Sequence, residues 1–109
     1  MAAALKTLGQ SAPAATTLTA LYTVPASTSA MVGAVVVCNR GDSVQTYRIS
    51  VAVAGAADDN KQYLVRDMPI DAHDTLTPIK GLAMAATDVL RVYASSTDLS
   101  FNASGEEIT

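Results

Sequence analysis

The clearest regularity in this chain is a two-residue alternation. Tyr47, Ile49, Val51 and Val53 alternate with Thr46, Arg48, Ser50 and Ala52, which sends bulky apolar groups to one sheet face and smaller or polar groups to the other. The spacing predicts a half-buried strand. The same pattern recurs in Leu99, Phe101 and Ala103 against Ser100, Asn102 and Ser104. It recurs again in Leu18, Ala20, Tyr22 and Val24 against Thr17, Thr19, Leu21 and Thr23, where Leu21 breaks it. Residues 30–38 form a nearly continuous apolar run containing Val32, Val35, Val36 and Val37. β-Branching stiffens these side chains and favours extended backbone, so the run predicts a strand covered on both faces.

Turn residues fall between these segments. Pro25 with Ser27, Thr28 and Ser29, then Asn39, Arg40, Gly41 and Asp42, then residues 55–60 separate the first strands. Residues 62–66, 75–80, 82–85, 89–94 and 99–103 are further short candidates, divided by Pro69, Asp71, Asp74, Gly81, Asp88 and Ser95 with Ser96. About eight short strands with regular turn signals predict an all-β fold, a single antiparallel β-sandwich of jelly-roll or immunoglobulin-like type. The alanine-rich stretches 2–5 and 82–87 fall short of the roughly 12 residues at which an isolated helix becomes marginal. The expected organisation is an extended N-terminal arm over 1–16, containing Gly9, Ser11 and Pro13, followed by the sandwich domain over 17–109.

Composition narrows what such a domain does. The chain has 109 residues, enough for one core, and a formal charge of -3. Its seven cations, Lys6, Arg40, Arg48, Lys61, Arg66, Lys80 and Arg91, form no run, so the phosphate-neutralising term behind nucleic-acid affinity has no evident source. Cys38 is the only cysteine, which excludes an internal disulfide and a thiolate metal cage and fits a reducing compartment. The opening residues do not read as a secretory signal, and the longest apolar run is about half the roughly 20 residues of a membrane span. Expression in the cytosol and use without a membrane are the expectations.

Candidate chemistry is sparse. His73 is the only imidazole, and neither the Gly-x-Ser-x-Gly elbow nor a phosphate-cradling Gly-Lys-Ser/Thr loop is present. Asp67, Asp71, His73 and Asp74 are the densest set of potential ligands, but Pro69, Asp71 and Asp74 are explained more simply as turn residues. Asp58, Asp59 and Asn60 read as a hairpin tip, lacking the central glycine and distal glutamate of a calcium loop. Arg40, Gly41 and Asp42 spell a receptor-binding tripeptide, yet the same residues suit a tight turn. Cys38, at the end of the valine run, reads as a small buried hydrophobe. No catalytic residue, metal ligand or cofactor is expected.

Tyr22, Tyr47, Tyr63, Tyr93 and Phe101 are the whole aromatic complement. Stacked on a surface they would recognise a host glycan; Tyr47 and Phe101, in the apolar phase of their strands, read as core instead. Half the residues are hydrophobic and only 16% are charged, more apolar material than a small monomer covers, which points to self-association or docking on a partner.

The order of segments also resembles small structural proteins of tailed bacteriophages. The resemblance is carried by Leu8, Gly9, Gln10 and Pro13; by residues 21–26; by Val37 to Gly41; and by Tyr47, Arg48 and Ile49. It continues in residues 61–64, in Pro69, Ile70, Ala72, Asp74 and Thr75, in residues 88–95, and in Leu99, Ser100, Phe101, Gly105 and Ile108. It implies a noncatalytic virion protein made in the host bacterial cytoplasm and incorporated in many copies, with itself and other virion proteins as partners. A tail, fibre or baseplate position is the leading expectation and a capsid decoration (cement) role the alternative. No functional residue is carried over by the resemblance.

Overall fold

A computed structural model describes residues 2–109. These residues form nine strands: β1 (Ala3–Ser11), β2 (Thr19–Thr23), β3 (Ser29–Asn39), β4 (Gln45–Ala52), β5 (Tyr63–Ile70), β6 (Thr75–Ile79), β7 (Leu82–Met84), β8 (Val89–Ala94) and β9 (Leu99–Ile108). All pairings are antiparallel. One sheet runs β1-β9-β3-β6 with β7 beside β6 on β3, and the other runs β2-β8-β4-β5. The two pack face to face as a β-sandwich, because each strand offers one apolar face that only a second sheet can cover. The core contains Val32, Val35, Val37, Ile49, Leu90 and Val92, all fully buried. At its centre the Tyr47 and Phe101 rings meet edge to face, centroids 6.3 Å apart.

The segment expected to be an arm is given a place in the sheet. Residues 3–11 pair with residues 101–108 of β9 as an edge strand, and Leu8 packs on the core. Gly9 fixes the crossing of the sheets at this edge: a Cβ there would collide with the Leu21 carbonyl oxygen of β2. Gly105 has a similar role inside the first sheet, where a Cβ would strike the backbone carbonyl of Met31.

The valine strand differs from expectation. Val32 and Val35 are both buried although three residues apart, which a regular strand forbids. A bulge between Val32 and Ala34 against β9 reverses the phase. The outward face of β3 is not covered by another layer: Met31 is exposed, and Val36 and Cys38 are half-buried. Cys38 is therefore a partly accessible thiol beside Ser100 and Thr75, not a core residue.

Three strand boundaries also moved. β4 ends at Ala52, and Val53 turns outward into a 3-10 turn, 68% exposed. β5 runs on to Ile70 through Pro69, which an edge strand tolerates because its missing N–H faces away from the ladder. β9 extends to Ile108 because β1 and β3 flank it.

Candidate functional site

Two buried polar side chains tie the turns to the sandwich. Asn39, fully buried at the end of β3, donates from Nδ2 to the carbonyls of Ser43 (2.8 Å) and Ile70 (3.2 Å) and accepts the Gly41 N–H on Oδ1 (3.0 Å). It holds the β3–β4 turn against the end of β5. Asp88 accepts the N–H groups of Ala54 (2.9 Å) and Ala85 (3.0 Å), one on each carboxylate oxygen, joining the loop after β4 to the β7–β8 turn.

The sequence-derived ligand set is dispersed by these turns. Asp67 lies on β5 and forms an ion pair with Arg48 (2.6 Å), whose hydrogen bond holds its carboxyl below the usual carboxylate range. His73 Nε2 meets Asp42 Oδ1 at 2.8 Å across the surface. Asp74 accepts the Thr75 N–H on its side chain and the Asn39 N–H on its carbonyl. Among the described residues no three His, Cys, Asp or Glu side chains converge on one point.

Arg40, Gly41 and Asp42 form the turn after β3. Arg40 donates to the Thr97 carbonyl, Asp42 faces His73, and Gly41 lies against the Asp98 side chain. The carbonyl of Asp59 accepts the Gln62 N–H in a second 3-10 turn at Asn60–Gln62, so Asp58, Asp59 and Asn60 sit in the loop before β5.

The tyrosines separate into two groups. Tyr22, buried in β2, donates its hydroxyl to Glu107 (2.5 Å), and burial followed by this bond pushes its pKa well above the tyrosine range. It is thus no part of an exposed platform. Tyr63 and Tyr93 lie on the outer face of the second sheet, each with a guanidinium over its ring: Arg66 at 4.7 Å from the Tyr63 centroid and Arg48 at 4.2 Å from that of Tyr93. These cation–π contacts occupy faces that a sugar ring would stack on.

Glu107 joins Tyr22 to the Lys6 ammonium (3.0 Å). The Tyr22 and then the Lys6 hydrogen bonds hold its carboxyl below the usual glutamate range. No sequence spacing points to this cluster, because its members come from the two ends of the chain and from the opposite sheet.

The remaining prominent surface features are apolar. On the open side of the sandwich, between edge strands β5 and β6, a groove of about 480 Å³ is lined mostly by apolar side chains, among them Tyr47, Leu64, Met68 and Leu76, together with Arg66 and Thr77; Leu64 and Met68 are exposed. At the opposite edge, residues 3–7 of β1 are exposed and Leu5 is 84% accessible. Leu5 and Met31 flank Glu106 in one row across the outer face of the first sheet. No helix among the described residues is long and apolar enough to cross a membrane.

These features define a small all-β sandwich with unpaired edges and exposed apolar side chains. Comparison with protein-family models, with curated proteins and with solved structures gave no match.

Proposed function

We propose that this protein is a noncatalytic structural component of a tailed-phage particle, self-associating within the tail, fibre or baseplate region. The observation that carries the reading is the distribution of apolar surface. Leu5, Met31, Leu64 and Met68 are exposed at the edges and outer face of a densely packed sandwich, where copies in an assembly would bury them. The segment order described above supports the phage assignment. A glycan-binding role is less well served, since the two outward tyrosines are already covered by arginines.

The test is co-purification. Antibodies against the chain should detect it in gradient-purified particles of the phage that encodes it, at a fixed ratio to other virion proteins. Its absence from intact particles overturns the proposal. Immunogold label on heads in place of tails would assign the capsid decoration role.

A further inference from the structure

We infer that two copies of this chain pair through β1, antiparallel about Leu5, joining their first sheets into one continuous sheet. This deepens the self-association part of the proposed function.

The four edges of the sandwich are not equivalent. β2 has five residues and a bulge between Ala20 and Tyr22. β5 carries Pro69, two register shifts and a left-handed residue at Asp67 (φ 54°). β6 has five residues including Pro78, and β7 has three. Proline, bulges, shortness and outward charges, lysine above all, are devices that stop an edge from recruiting another strand. Residues 3–7 of β1 have no proline and no register shift before Thr7. Their one charge, Lys6, is turned back onto Glu107.

The hydrogen-bond phase fixes which groups are free. Ala2 and Thr109 exchange both N–H···O bonds at 2.8 Å. Since such pairs alternate along an antiparallel ladder, Ala4 and Lys6 also direct their backbone groups toward β9. Ala3, Leu5 and Thr7 direct theirs away, at positions left exposed. β2 comes against β1 at Gly9, beyond this stretch.

A two-fold axis through the Leu5 pair uses all three outward residues. Leu5 meets Leu5 of the second copy and Ala3 meets Thr7, forming six backbone hydrogen bonds at about the usual strand spacing of 4.8 Å. The register is favourable electrostatically. Lys6 comes opposite the small Ala4 of the second copy, which itself pairs with that copy's Glu107. Each ammonium thereby lies between two carboxylates. Centring on Lys6 would instead oppose two ammonium groups, and centring on Thr7 would run into the bulge before Gly9.

Light scattering and sedimentation equilibrium on the full chain should give twice the 11.2 kDa chain mass. Leu5→Pro should return the monomer mass with an unchanged β circular-dichroism spectrum, because the N–H it removes is not bonded to β9. Should that variant fail to fold, a cross-link decides: Leu5→Cys in a Cys38→Ala background should form an intermolecular disulfide. The Cα separation of a hydrogen-bonded pair, about 5.5 Å, suits such a bridge. Ala3→Cys, opposite Thr7, should not cross-link to itself. A monomer at every soluble concentration, a dimer that survives Leu5→Pro, or Leu5→Cys bridging no faster than Ala3→Cys overturns the inference. Absence from particles with the dimer intact would overturn only the virion role, and a monomer found in particles would overturn only the pairing.

Discussion

Replacing Asn39 by alanine removes three hydrogen bonds at one fully buried point: two donated to the Ser43 and Ile70 carbonyls and one accepted from the Gly41 N–H. Each is worth about 1 kcal/mol net, more where the partner left behind is buried and finds no substitute. The expected loss is therefore about 3–4 kcal/mol, a large share of the roughly 5–15 kcal/mol that stabilises a domain of this size. Urea unfolding followed by far-ultraviolet circular dichroism measures it directly, and the melting temperature should fall by on the order of 10–20 °C. Asn39→Asp separates hydrogen bonding from volume, since it keeps the acceptor for Gly41 but points a carboxylate at two carbonyls. Burial there raises the folded pKa of the introduced carboxyl above its unfolded value. Relative to Asn39→Ala, it should then be favoured below the unfolded pKa of about 3.9 and lose ground as pH rises through the folded pKa. A loss under 1 kcal/mol for Asn39→Ala would refute the assignment of Asn39 as the joint between the β3–β4 turn and β5.

Two further perturbations probe the sheet and its ends. Gly105→Ala should destabilise by roughly 1–3 kcal/mol in the same urea assay, because its Cβ meets the Met31 backbone carbonyl and not a side chain that can yield; an unchanged midpoint would show that β3 and β9 can separate there without cost. Glu107 has a folded pKa below its unfolded value, owing to Tyr22 and then Lys6, so its contribution is present above the unfolded pKa of about 4.3 and is lost as pH falls through the folded one. The stability advantage of the parent chain over Glu107→Gln should accordingly shrink under acid unfolding conditions, and a pH-independent difference would contradict the electrostatic account.

The sandwich was legible in the sequence because its central strands alternate with period two. Tyr47 and Ile49 in β4, and Leu99 and Phe101 in β9, have the buried faces that the pattern predicts. What the alternation could not disclose was where its phase breaks. Val32 and Val35 point the same way only because a bulge intervenes, and a run of valines reads alike with or without one. β1 was obscured for a different reason. Its residues 3–7 are exposed, so no apolar periodicity marks it. Its strand conformation comes from pairing with β9 at the other end of the chain, a contact that local pattern does not encode. The Lys6, Tyr22 and Glu107 cluster is hidden by the same sequence separation, whereas the Asn39 turn is announced by its Asn, Gly and Asp.

The same pairing explains how a mostly exposed strand can be stable and still reactive. β9 satisfies alternate backbone groups of β1, and Glu107 fixes Lys6 while also receiving the Tyr22 hydroxyl from the opposite sheet. Ordering the strand therefore does not depend on a partner. A second copy would meet an edge whose conformational entropy has already been lost on folding, so its six hydrogen bonds would not have to offset that cost again. A flexible arm would have to order on binding. This difference favours assembly through β1, and it ties the Lys6–Glu107 pair to association as well as to folding: weakening that pair should loosen the dimer even though neither side chain lies on the two-fold axis.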